Sequence, residues 1–281
     1  MIRIDEMTRG RFGNEIFQYN VLVQIANTLS VDASCVPWEG NTIFEGIEGY
    51  KESTNNERML DWREILNEGV PSNNTIDYAI GEYCIHNTFW EVTKTDPRKF
   101  FQINNTYKKN FSEDEIHVGI HFRGTDILGA DGNNGREIHP PQYYMDAIDC
   151  VEKEFDGNIH YHICTDDINF VSFLKTVSYL DAGQMKFSLG SPDHFHDFAT
   201  LTECDVIIAS SSTFVVCAGF IGKKDKKIIH SAEWIDKNLN HTPWHVTPDP
   251  NSVREWQLSF DKFWTRLHEG GNDFYRAWKF I

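Results

Sequence analysis

Apolar residues recur along this chain at two periods, and the alternation between them predicts strands and helices in turn. Ile2 and Ile4 alternate with Arg3 and Asp5, as a short strand does. The loop TRGRFGN follows. Phe17, Val21, Leu22, Ile25, Ala26 and Leu29 then fall at helical spacing, which predicts a helix from about Glu15 to Leu29. Asn14 stands where an N-cap would, with the helix's first N–H groups turned into the loop. Strand, glycine-containing turn and helix together open many nucleotide-binding α/β folds. The turn carries neither a G-x-x-x-x-G-K-[ST] nor a G-x-G-x-x-G pattern. Glycines placed there for backbone reasons alone fit it equally well.

The stretch from 31 to 112 is less regular. Val31 to Pro37 reads as a second strand, Asn41 to Asn74 as loops and short helices, and Ile76 to Ile85 as another strand. Pro97 to Asn110 reads as a helix. Ser112, followed by Glu113, Asp114 and Glu115, marks an acidic boundary, and the junction between two domains is set there.

Beyond it the pattern sharpens. Val118 to Ile120 form a buried strand that delivers His121, Arg123, Gly124, Thr125 and Asp126 to its end. Ligands of open α/β sheets bind outside the carboxyl ends of strands, so these residues are candidates for chemistry. Ile127 to Arg136 form a loop rich in glycine and asparagine, long enough to reach over a substrate. A helix follows through HPPQYYMDAIDCVEKEF, with Tyr144, Ala147, Ile148 and Val151 on its apolar face. IHYHICTDD is a strand ending in Thr165, Asp166 and Asp167. That acidic doublet either caps the helix from Phe170 to Val177 or faces a ligand. Phe198, Leu201 and Cys204 form a short helix, and Val206 to Ala209 a strand. Ser210, Ser211, Ser212 and Thr213 make a hydroxyl-rich turn before a helix from Phe214 to Ile221. Four hydroxyls at a helix start suit a diphosphate, although capping needs only one of them. Ile228, Ile229 and His230 give one more strand. Trp256, Phe260, Phe263, Trp264, Leu267, Phe274 and Trp278 stripe the tail as core does.

The 281 residues hold 40% hydrophobic and 14% aromatic side chains, enough for two modest cores. A formal charge of −16 argues against nucleic acid or an anionic membrane as a general partner. No run is long and apolar enough to span a bilayer, and the first residues lack the apolar core of a secretion signal. The six cysteines form no C-x-x-C pair, so the chain is expected in a reducing, cytoplasmic setting. His160 and His162 share one strand face, but no third ligand stands at a fixed spacing, so they are read as structural.

Four separated motifs resemble the α-1,2-fucosyltransferase family of inverting GT-B enzymes. Gly10, Phe12, Gly13, Asn14, Glu15, Phe17, Gln18 and Tyr19 stand in the places of the family's G-x-L-G-N-Q-x-F-Q-Y. His121, Arg123 and Asp126 match H-x-R-R-G-D, and Thr165, Asp166 and Asp167 resemble S-D-D. Ile207, Ile208, Ala209, Ser211, Ser212 and Gly219 fit I-I-A-N-S-S-F-S-W-W-G-A. Two departures stand out: Gly124 replaces the family's second arginine, and Val215 and Val216 replace its tryptophan pair.

The resemblance implies an α/β, GT-B architecture, two Rossmann-like domains facing across a cleft. Residues 1–112 would mainly take the acceptor, 113–251 would take the sugar donor, and 252–281 would pack back across the junction. It implies transfer of a sugar from a nucleotide-sugar co-substrate, GDP-fucose, to a glycan hydroxyl, with no cofactor and no metal. Arg123 and Asp126 are the catalytic candidates. Asp126 serves as base or as the group that orients Arg123, with Glu137 and His139 as substitute bases. Sugar-donor binding falls to His121, Arg123, Gly13, Asn14, Asp166, Asp167, Ser210, Ser211, Ser212 and Thr213. The Gly124 departure keeps a UDP-sugar such as UDP-xylose open as the donor. It also keeps open a non-catalytic carbohydrate- or nucleotide-binding protein. A metal hydrolase built on His160, His162, His194 and His196 is the remaining, weaker alternative.

Overall fold

The computed structural model describes residues 1–7, 10–47, 49, 51, 56–59, 76–79, 95–125, 139–210, 212–224 and 226–229. They fall into two compact α/β units, one ending at Thr106 and the other beginning at Tyr107. The expected return of 252–281 lies outside the described residues. Among those described, no helix is long and apolar enough to cross a membrane.

The first unit holds β1 (Ile2–Ile4), α1 (Phe12–Leu29), β2 (Ala33–Cys35), α2 (Gly40–Ile43), β3 (Phe44–Glu45), β4 (Asn56–Met59), β5 (Ile76–Ala79), a 3₁₀ turn at Pro97–Lys99 and β6 (Gln102–Ile103). Four of its strands form a parallel sheet in the order β2-β1-β5-β4. β3 pairs with β6 antiparallel, Phe44 opposite Ile103. Helix α1 packs on β1 and β2, and nearly its whole circumference is buried. Its inward polar groups are therefore satisfied by protein. Gln24 both donates to the Thr95 carbonyl at 2.6 Å and accepts from the Thr95 N–H at 2.9 Å, pinning the backbone at Thr95 to the helix. An aromatic group closes the other side: Tyr19 lies 5.1 Å from Trp38 and 5.8 Å from Phe101, which meets Phe44 edge-on at 5.1 Å.

Three expectations change here. Helix α1 begins at Phe12, so Asn14 sits in its first turn and not at its cap; the cap position is Arg11, with no side-chain capping bond. Instead, the Asn14 side chain covers Gly10, which has φ +128° and leaves no space for a Cβ. The helix read from Pro97 to Asn110 is only the 3₁₀ turn, because Asp96 accepts from Arg98 N–H and side chain and ties that turn off. The polar run Asn56–Met59 is a strand that pairs with β5, its backbone ladder needing no apolar side chains.

The second unit holds β7 (Glu115–Phe122), α3 (Pro141–Glu154), β8 (Asn158–Thr165), α4 (Val171–Ala182), β9 (Lys186–Leu189), α5 (His194–Glu203), β10 (Val206–Ile208), α6 (Thr213–Ile221) and β11 (Lys227–Ile229). All five strands are parallel, in the order β11-β10-β7-β8-β9. Val118, Ile120 and Phe122 of β7 and Tyr161 and Ile163 of β8 point to one face, where Tyr144, Ala147, Ile148 and Val151 of α3 cover them. The chain steps outward from β7 to β8 to β9, then crosses back to place β10 on β7's other side. That reversal is a topological switch point, and it opens a crevice at the carboxyl ends of β7 and β10.

Candidate functional site

Three strand ends deliver polar groups to that crevice. From β7, His121 is 7% exposed, and its Nδ1 lies 2.7 Å from Ser210 Oγ in the loop after β10. The His121 ring stacks on Phe214, centroids 5.2 Å apart, and Phe214 in turn meets Phe198 of α5 edge-on. Two residues on, half-buried Arg123 directs Nη1 to Ser212 Oγ at 3.4 Å. Each of the two β7 side chains is thus tied across the switch point to the loop that starts α6.

Ser212 is the N-cap of α6: its Oγ accepts from Phe214 N–H at 3.3 Å, and its own N–H donates to the Ser210 carbonyl. The hydroxyl turn is consequently less of an open cradle than its sequence implies. Ser210 and Ser212 are buried and already engaged, Thr213 is the first helical residue, and Ser211 lies outside the described residues. The start of α6 keeps the partial positive charge of a helix N-terminus directed at the loop.

From β8, Asp166 accepts from the Gly124 N–H at 2.6 Å and from the Thr125 hydroxyl at 2.7 Å. The acidic doublet does not cap α4, whose N-cap is Phe170 without a side-chain bond. Asp167 accepts from Asn169 N–H in a local turn at 2.9 Å. Asp166 instead holds the loop that carries Arg123. The glycine at 124 is required by packing: a Cβ there would stand 2.9 Å from Asp167 Cβ and 3.2 Å from Phe170 Cβ. The missing second arginine is therefore a feature of the whole strand end, with no space left for that side chain.

Two groups that the sequence pattern did not single out hold the frame. Buried Tyr143 donates its hydroxyl to the Ala209 and Ile229 carbonyls, at 2.8 and 2.9 Å, bracing the ends of β10 and β11. Asp197 accepts from Ser191 N–H at 2.7 Å, and burial raises its carboxyl pKa to about 6. Nothing in spacing marks either one, since each acts through a backbone group brought near by folding.

Of the other candidates, Asp126 and Glu137 lie outside the described residues, as does the loop from Ile127 to Arg136. The His139 ring is 3% exposed and packs 4.5 Å from Tyr143. Gly13 and Asn14 lie in the first turn of α1, in the first unit. That unit also holds a cavity of about 570 Å³ lined by Tyr19, Asp32, Lys51 and Lys99. It lies beside Val31 to Ala33, the residues leading into β2, and beside Glu45 and Gly46 at the end of β3.

No family model matches the sequence, and no curated protein matches it at a significant level. Solved structures do. POFUT1 in complex with GDP superposes with a TM-score of 0.53 at 8% identity, covering 82% of this chain and 99% of that one. An Arabidopsis thaliana FUT1 variant in complex with GDP gives 0.50 at 13% identity, covering 82% and 69%. At these identities the likeness concerns the fold alone: two Rossmann-like α/β units of the GT-B kind.

Proposed function

We propose that this protein is a metal-independent, inverting glycosyltransferase that moves a sugar from a nucleoside-diphosphate donor to a glycan hydroxyl. GDP-fucose is the first candidate donor. The observation that carries the proposal is the pairing of Arg123 with the capped start of α6 at the switch point, on a fold whose solved neighbours are recorded with GDP.

As the bond from the anomeric carbon to the diphosphate oxygen breaks, negative charge grows on the leaving diphosphate. The Arg123 guanidinium and the N–H groups opening α6 stabilise it. His121, fixed between Ser210 and Phe214, sets the floor of that site. The acceptor hydroxyl attacks from the opposite face, its oxygen forms the new glycosidic bond, and its proton passes to a carboxylate. Asp126 fills that role on the motif, or orients Arg123; an Asp126→Asn protein with an unimpaired rate eliminates the base role. Gly13 and Asn14 are retained as sugar-donor residues on their motif alone.

Binding of GDP- and UDP-sugars, measured by calorimetry without added metal, tests the reading. Selective binding of GDP-fucose, followed by transfer to a glycan, supports it. A second reading rests on one specific observation, the packed site at Gly124. With no second arginine to hold a GDP-fucose diphosphate, the same fold and reaction suit a UDP-sugar such as UDP-xylose, and selectivity for one in the same panel establishes that instead. Binding without turnover in the presence of acceptors leaves a non-catalytic carbohydrate- or nucleotide-binding protein.

A further inference from the structure

The opposite end of the second unit's sheet carries a second polar cluster. His117 on β7 and His160 on β8 are paired in register, and His162 follows two residues later on the same face. One ring nitrogen from each lies within 4.8 Å of those of the other two. The third histidine that no sequence spacing announces is thus supplied by the neighbouring strand.

Outer partners fix the rings. His117 Nε2 lies 3.0 Å from the Ser112 carbonyl, which can only accept, so Nε2 carries the proton and Nδ1 presents a lone pair. Nδ1 points at His162 Nε2, 2.9 Å away. His162 Nδ1 lies 3.0 Å from Ser188 Oγ, and Glu115 Oε2 stands 3.7 Å from His160 Nδ1. Phe111 stacks on both His117 and His162, at 4.2 and 4.5 Å between centroids, with both rings nearly parallel to its own. A carbonyl, a hydroxyl and a carboxylate behind three converging imidazoles is the outer shell that metal-binding histidines use.

The geometry points to a divalent transition-metal site, of the zinc class, held by His117, His160 and His162, with its fourth position left to water. Two nitrogens on a tetrahedral zinc at its usual bond length stand about 3.3 Å apart, so the 2.9 Å pair has to open by only a few tenths of an ångström. Binding asks for one tautomer change. The His162 proton moves from Nε2, where it bonds His117, to Nδ1, where the Ser188 oxygen accepts it. Nitrogen ligation suits zinc, and copper or nickel by affinity order.

This site is separate from the sugar-donor crevice and does not rest on the transfer reading. His117 and His121 are four residues apart on one strand, about 13 Å. The metal would tie β7, β8 and the segment bearing Phe111 and Ser112 together, and would not touch a diphosphate.

The test uses the full chain, stripped with chelator and dialysed, titrated with Zn²⁺ by calorimetry and with Co²⁺ by visible absorption. One equivalent binds, with the intense absorption of a four-coordinate cobalt site. His160→Gln, at the most exposed of the three positions, weakens binding at least about 100-fold while far-ultraviolet circular dichroism is unchanged; Glu115→Gln weakens it about tenfold. His196→Gln, outside the cluster, binds as the parent does. Should His117→Gln misfold, His160→Gln still decides. Absence of stoichiometric binding, or binding that survives His160→Gln, overturns the assignment and leaves the three histidines as a structural network.

Discussion

The two ends of the second unit's sheet use the same strands for opposite ends. At the carboxyl ends, polar groups sit at the tip of β7 and on the loops beyond the strands, and bond across consecutive crossings: His121 to Ser210, Arg123 to Ser212, Gly124 and Thr125 to Asp166. At the amino ends, the histidines sit on the strands themselves, and register alone puts His117 beside His160. Loop-borne groups keep a half-exposed cation available to a ligand, whereas strand-borne groups are fixed by the ladder and face one another. A parallel sheet therefore offers reactive freedom at one end and a rigid preset cage at the other.

The largest expected break in that contrast is Arg123→Ala. It should lower sugar-donor turnover about 10²–10³-fold, with the melting temperature nearly unchanged, as kinetics and a thermal melt on one sample will show. Turnover within a few fold of the parent takes Arg123 out of the mechanism. Gly124→Ala comes next: the new Cβ meets Asp167 and Phe170, and the overpacked loop should cost about 1–3 kcal/mol in urea unfolding.

Buried charges sharpen the picture through pH. Burial raises the folded-state pKa of Asp197 from 3.8 to about 6, so the folded protein binds the extra proton and stability falls as pH rises across that interval. Lys226 is caged by the Leu201 and Thr202 carbonyls, and burial lowers its pKa from 10.5 to about 7. There the unfolded chain binds the extra proton, so stability rises with pH from about 7 toward 10.5. Each slope is at most about 1.4 kcal/mol per pH unit. Urea midpoints across pH should show Asp197→Asn flattening the first slope and Lys226→Met the second. The smallest effect is Ser212→Ala, which removes the α6 cap and should cost about 1 kcal/mol together with a modest loss of sugar-donor affinity.

Much of the second unit is legible in its sequence, because parallel strands buried on both faces read as apolar runs. Val118–Ile120, the stretch ending at Thr165, Val206–Ile208 and Ile228–Ile229 all lie in strands, and each helix between them is found. Where runs carry charge the reading falls short: Asn56–Met59 is missed as a strand, and Lys186–Leu189 has too few apolar residues to stand out. Of the motif residues, His121, Arg123, Asp166, Ser210 and Ser212 lie near one another at the ends of β7, β8 and β10.

Local periodicity and the four motifs thus determine that the chain alternates strand and helix, where its strand ends lie and which residues are offered there. Tertiary structure alone decides the rest. It turns Asp166 from a helix cap into the anchor of the Arg123 loop, makes Gly124 a matter of space, and sets His117 beside His160 and His162. The reason is physical: each of these outcomes depends on which strand lies next to which, and strand order is written in long-range packing that no neighbouring residue in the sequence reports.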